Sequence, residues 1–227
     1  MSIITTATAL LADIAVETDR TDAVQAFVKQ ETILVEITSA DGLRGTGYSY
    51  TIGTGGTSVL ALLQDHLLPL LVGEDARNVE GLWQRLFAST RSTTTGAITS
   101  LALAAVDTAL WDLRCKRAGE PLWRLAGGHR REVPVYDTEG GWLHLSPDDL
   151  VKSALRAQQA GWAGVTIKVG KPHIAAVPNG KFVEYIPQLR AVTRTEMTVR
   201  DGMAVAPDEP GIGIDWDMDA IDNRRVP

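Results

Sequence analysis

The stretch GWAGVTIKVGKP, residues 161–172, decides how the rest of the chain is read. Gly161 ends a helix, residues 165–169 form a short β-branched strand, and Lys168 stands where that strand runs out. In α/β barrels the chemistry sits at the carboxyl ends of buried strands, which makes Lys168 the candidate catalytic residue. Upstream, Ser146-Pro147-Asp148-Asp149 is a helix start, with a capping serine, a proline at the first position and acids in the first turn. Leu150, Ala154, Leu155 and Ala157 carry that helix to Gly161, and EVPVYD at 132–137 reads as the strand before it. Strand, helix and strand of these lengths make one βαβ unit.

Beyond Lys171 the pattern changes. A parallel strand needs a crossover of about a dozen residues or more. Here Pro172 and Pro178 bracket only His173, Ile174, Ala175, Ala176 and Val177, yet KFVEYI at 181–186 already reads as another strand. That strand is not expected to be the ordinary next neighbour of the first two. Further on, Asp201-Gly202 marks a turn in an extended run. Asp215, Asp217 and Asp219 alternate like a calcium loop, but Ala220 and Val226 occupy positions that need glycine and glutamate, so that reading is set aside.

Toward the amino end, residues 26–50 carry the signals of an antiparallel meander. FVK at 27–29 and ILVEI at 33–37 lead to a tight Asp41-Gly42 turn, and LRGTGY at 43–48 returns. Gly53-Thr54-Gly55-Gly56 follows, with no lysine behind it and no parallel-strand unit before it. It reads as a lid or plain turn and not as a phosphate cradle. Val59, Leu60, Leu63, Leu67 and Leu68 then fall at helical spacing until Pro69, and residues 78–87 form a second short amphipathic helix. The longest periodic segment is 97–117, where Leu103, Val106, Leu110 and Leu113 make one stripe. Ala102, Ala105 and Ala109 beside it let another element approach closely. Arg114, Lys116 and Arg117 suit the carboxyl end of the helix dipole, and Gly119 and Pro121 end the helix. Asp107 on this helix reads as a carboxylate satisfied by a local hydrogen bond or arginine in preference to a catalytic group.

A chain of 227 residues, 44% hydrophobic, can bury a sizeable core. Its net charge of −6 and pI near 5.2 argue against nucleic-acid and anionic-membrane partners, while a small anionic substrate needs only local positive charge. A single cysteine, Cys115, excludes an intrachain disulfide and fits a reducing compartment. The first residues lack the basic start of a signal peptide, and no apolar run reaches about 18 residues. A soluble cytoplasmic protein is expected.

Four stretches together resemble the enolase superfamily, in its mandelate racemase and muconate-lactonizing branch. They are AAVDTALWDL at 104–113 with PLWRLAGG at 121–128, VYDT at 135–138, TIKVG at 166–170, and APDEPGIG at 206–213. They occur in the family's order over nearly the whole chain. The resemblance implies an α+β capping domain over a (β/α)7β barrel that holds Mg2+ through three carboxylates, one at each of three successive strand ends. The metal stabilises the enolate formed when a base removes the proton α to a substrate carboxylate. It also implies that Lys168, the second lysine of the family's usual Lys-x-Lys, is that base, with Thr166 standing where the first lysine is usual. Tyr50 and Thr51 match the capping loop that closes over substrate, and Thr138 and Thr166 sit at strand mouths as substrate contacts. The substrate class is a small carboxylate, an acid sugar or 2-hydroxy acid, and a homo-oligomer is expected.

Set against that pattern, the chain is expected to hold an α+β capping domain at 1–128, an incomplete (β/α) TIM-type barrel remnant at 129–190, and a C-terminal return segment at 191–227. The three metal carboxylates, the opposite-face base and the late acid have no counterparts, and a deletion seam is placed near 171–173. Two readings follow. One is a Mg2+-dependent dehydratase or racemase whose parent activity this chain has lost. The other is a non-catalytic oligomerisation or binding remnant, or a gene-model fragment.

Overall fold

The computed structural model describes residues 2–21, 26–93, 96–167, 183–184, 187–196 and 198–226. A three-stranded antiparallel sheet comes first: β1 (Ile4–Thr21), β2 (Ala26–Ser39) and β3 (Arg44–Thr51). The meander expected from β2 and β3 is present, with Gly42 at φ 84° in its turn. β1 extends it along almost the full length of β2. Residues 4–21 carry no alternating signal because both faces of this sheet are buried. Ala9 and Leu11 belong to one core and Ala12 and Ile14 to another, so the apolar residues run on without a period.

The first core lies between the sheet and the helices α1 (Gly56–Leu62), α2 (Val79–Ser89) and α3 (Ala97–Ala118). A π-turn, Leu63–Leu67, and a 3-10 turn, Leu68–Leu70, continue α1 up to the expected proline interruption. α3 ends at Gly119 with φ 66°, as its glycine and terminal basic residues predict. Its alanine stripe is what β3 rests on. A Cβ at Gly47 would stand 2.1 Å from the Ala105 carbonyl oxygen, and one at Gly45 2.1 Å from that of Ala109. Gly45 and Gly47 thus match Ala105 and Ala109 across one close contact.

The second core covers the other sheet face with chain from the C-terminal end. Leu34, Ala12 and Ile14 pack with Val192, Trp216 and Ile221, and Tyr48 meets Trp216 edge-on at 5.3 Å. Asp112, buried on α3, locks the two regions together. Its carboxylate accepts the Thr46 N–H (2.8 Å) and the Ile212 N–H (3.0 Å) and pairs with Lys116 at 2.7 Å.

After the short helix α4 (Leu122–Leu125), a second sheet forms around β4 (Glu132–Asp137). α5 (Pro147–Gln159) starts as expected, with the Asp149 N–H donating to the Ser146 hydroxyl at 3.2 Å. It leads to β5 (Gly164–Val165), parallel to β4, which is the βαβ unit read from the sequence. β6 (Val183–Glu184) also pairs with β4 in parallel, so it neighbours the first of the two strands, and no pairing with β5 is seen among the described residues. β7 (Thr198–Arg200) and β8 (Met203–Val205) form a hairpin through Asp201 and Gly202, and β8 pairs antiparallel with the start of β4. α6 (Met218–Asp222) is capped by the Asp217 carboxylate, which accepts the Ala220 N–H at 3.0 Å, and Asp215 lies 3.5 Å from Arg194. Asp215 and Asp217 therefore have protein partners. Among the described residues no helix is long and apolar enough to cross a membrane.

Candidate functional site

Two places gather the residues singled out from the sequence. The first is the carboxyl end of β4 and β5. Thr138 is buried there, and the Thr166 N–H donates to the Asp137 carbonyl at 2.7 Å, holding the two strand ends side by side. The loop that follows must pass close by: a Cβ at Gly141 would stand 1.7 Å from the Thr166 carbonyl oxygen. Asp137 folds its carboxylate back onto the Glu139 N–H at 2.9 Å. Lys168 lies outside the described residues.

The far end of the first sheet reaches over this mouth. Arg20, at the end of β1, is 4% exposed and donates through Nε to the Glu139 carboxylate at 3.0 Å. Phe27 tilts against Trp142 at 5.4 Å, and the Leu143 N–H donates to the Thr21 carbonyl at 3.2 Å. Sequence reasoning missed Arg20 and Glu139. Arg20 sits among Glu17, Asp19 and Asp22, and such a run reads as a solvated face.

The second place is the end of β3. The Thr51 hydroxyl donates to Glu31 at 2.5 Å and the Gly56 N–H donates to the same oxygen at 2.9 Å, so one carboxylate ties both ends of the 51–56 turn. Lys29 lies 3.3 Å from Glu31 and 2.8 Å from Asp13. Burial pushes the Glu31 carboxyl up, but the hydrogen bonds from Thr51, Gly56 and Lys29 outweigh it, and the net position is below the ordinary value near 4.5. Tyr50, beside this clamp, lines a cavity of about 800 Å³ between the first sheet and the β7–β8 hairpin. Thr138 and Thr166 are not among the residues lining that cavity. Asp107 has no hydrogen bond or ion pair among the described residues, contrary to the local partner expected for it. Burial, with Glu80 nearby, pushes its carboxyl above the ordinary value.

A divalent cation such as Mg2+ takes about six oxygen ligands, usually including one or two carboxylates. Among the described residues no group of three or more His, Cys, Asp or Glu side chains gathers. At the β4 mouth Asp137 is turned onto a backbone N–H and Glu139 onto Arg20. This donor set does not fit the metal.

The fold is a helix-backed meander joined to a small mixed sheet, with a returning C-terminal segment. Residues 6–127 match the family model of the mandelate racemase / muconate lactonizing enzyme N-terminal domain, and the chain belongs to that family. It is 36% identical over 143 residues to the L-talarate/galactarate dehydratase of Salmonella typhimurium, which covers 63% of this chain and 36% of that protein. It is 38% identical over 149 residues to the 3,6-anhydro-alpha-L-galactonate cycloisomerase of Streptomyces coelicolor, covering 66% of this chain and 41% of that one. The matched stretch thus spans well under half the length of these curated relatives. Among solved structures, the Salmonella typhimurium dehydratase liganded with Mg and L-lyxarohydroxamate superposes with a TM-score of 0.87 at 18% identity, covering 99% of this chain and 93% of that one. A racemase from Streptomyces coelicolor with bound magnesium gives 0.89 at 22% identity, with 99% and 100% covered. At these identities the structural likeness establishes the fold.

Proposed function

We propose that this chain is an enolase-superfamily protein that has kept its cap and the first two strands of its barrel but has lost the strands in which the family holds its metal. The parent activity is Mg2+-dependent removal of the proton α to the carboxylate of an acid sugar or 2-hydroxy acid, as a dehydratase or racemase. As written, the chain does not perform it. In this reading residues 1–128 are the cap, 129–190 an incomplete barrel with a seam near 171–173, and 191–227 the return segment.

One observation carries the proposal: β4 is flanked in parallel by both β5 and β6, and only residues 166–182 connect those two strands. A βαβ unit takes about 30 residues. The connection has room for roughly one crossover and none for the series of strands that would supply three carboxylates. The reach of the relatives supports the same view. The sequence match of 143 residues is 36% of the talarate/galactarate dehydratase, so that protein is more than one and a half times as long as this chain. A superposition extending over 93% of its solved chain has to pair both ends and skip an interior stretch.

Lys168, Thr138, Thr166, Tyr50 and Thr51 are then inherited positions, a base and its substrate contacts without the ion they serve. Calorimetric titration with MgCl2 tests this. No saturable heat, and no change in unfolding temperature between MgCl2 and EDTA, is expected. Saturable binding that Asp137→Asn abolishes would overturn it.

A second reading, a homo-oligomerising remnant, draws on a specific surface. Leu150, Val151, Leu155, Val165 and Ile167 surround a groove of about 450 Å³ where α5 meets β5, and Val151 is 59% and Ile167 47% exposed.

A further inference from the structure

We propose that the cavity beside Tyr50 is a binding site for a small organic monoanion with an apolar or aromatic body, held by Arg130 and Arg200. Its volume of about 800 Å³ falls within the range of small-molecule sites, roughly 300–1,000 Å³. It is built at the amino end of β4, from Arg130, Arg131 and Val133, whereas Thr138 and Glu139 lie past the other end of that strand. The site therefore belongs to neither the strand mouth nor its lost metal chemistry, and it stands whether or not the reading above does.

The lining is apolar and aromatic in body. Tyr48 and Tyr50 come from the first sheet, Trp123 from α4, and Leu189 and Ile214 from the C-terminal part. Such rings and branched chains remove a ligand's apolar surface from water. The charge around them is positive, in a chain of net charge −6. Four arginines line the cavity, and two are already neutralised, Arg131 by Asp208 and Arg190 by Glu196. Arg130 reaches only the neighbouring His129 ring, at 3.4 Å. Arg200 has no hydrogen bond or ion pair among the described residues. Arg130 and Arg200 thus line the cavity without a carboxylate partner among the described residues, and a planar carboxylate is the group whose geometry a guanidinium fork matches. Glu209, the remaining acid, also has no ion pair among the described residues and opposes a second negative charge. One carboxylate on an apolar body satisfies all three conditions.

Indole-3-acetate and its neutral amide, titrated calorimetrically into the unaltered chain, test the assignment. The acid is expected to bind at one site about tenfold or more tighter than the amide, and to weaken with added salt. The double variant Arg130→Gln/Arg200→Gln is expected to lose that preference, Tyr50→Ala to weaken acid and amide alike, and Arg77→Gln, remote from the cavity, to change nothing. Galactarate, a hydroxylated dianion, is expected not to displace the probe. No binding, equal binding of acid and amide, retention of the preference in the double variant, or displacement by galactarate would each overturn the proposal. If the double variant does not fold, the acid–amide comparison on the unaltered chain still decides between these outcomes.

Discussion

Arg20 and Glu139 form a 3.0 Å ion pair that joins the end of β1 to the loop after β4, with the arginine 4% and the glutamate 23% exposed. It bridges the first sheet and the loop after β4, beside the Leu143–Thr21 backbone hydrogen bond and the Phe27–Trp142 contact. A pair this buried is costly to break from one side, by about 3–5 kcal/mol when fully enclosed and less here because Glu139 reaches water. Arg20→Met and Glu139→Gln are each expected to lower stability by about 2 kcal/mol. A double-mutant cycle from urea unfolding is expected to show coupling of at least about 1 kcal/mol, and additive effects would mean the pair does not bind the sheets together.

Gly47 and Ala105 are matched across a close helix–sheet contact. Because the opposing atoms are helix backbone, Gly47→Ala cannot be absorbed by a rotamer change. It is expected to cost more than about 3 kcal/mol, and Gly45→Ala a similar amount. Gly42→Ala, with open space around its Cβ position, is strained only by its positive φ and is expected to cost about 1 kcal/mol. Equal losses at positions 42 and 47 would contradict this packing.

Glu31 predicts a specific acid limb. Its carboxyl lies below the ordinary value near 4.5 in the folded chain, so its contribution is present above the unfolded value and is lost as pH falls through the folded one. Glu31→Gln is expected to lower stability at pH 7 by about 1 kcal/mol and to flatten the decline below about pH 5. Asp107 acts in the opposite sense. Its raised value means that its ionisation costs stability as pH rises, so Asp107→Asn is expected to stabilise the chain at pH 7. Chemical denaturation across pH checks both, and an unchanged acid limb in Glu31→Gln would refute the clamp.

The groove between α5 and β5 predicts self-association, since β5 carries exposed Val165 and Ile167 follows it beside exposed Val151 and Leu155. Light scattering after size-exclusion chromatography is expected to give a mass above the monomer, shifted downward by Val151→Lys/Leu155→Glu. A compact monomer from the unaltered chain would remove the oligomerisation reading.

Much of this architecture was legible because its signals are local. The Ser146 cap, the Gly119 and Gly161 terminators, and the Asp41-Gly42 and Asp201-Gly202 turns each fix one backbone choice, and each occurs where expected. β1 was not legible, because a strand with a core on both faces has no period to detect. The Arg20–Glu139 pair, 119 positions apart, and the Glu31 clamp were hidden for a different reason. Nothing in a charged residue's neighbours shows which distant partner the fold will bring to it. The cavity is of the same kind: Tyr50 drew notice as a lid residue, but Arg130 and Arg200 reach its surroundings only through the β4–β8 pairing.

The proposed reading, a family cap without the carboxylates that its chemistry needs, predicts that no enolate is stabilised, and solvent exchange tests this most directly. Incubated with MgCl2 and galactarate in D2O and followed by proton NMR, the purified chain is predicted to leave the signal of the proton α to the carboxylate at the level of a protein-free control. Magnesium-dependent deuterium incorporation that disappears in Lys168→Ala would contradict that prediction and the loss of function behind it.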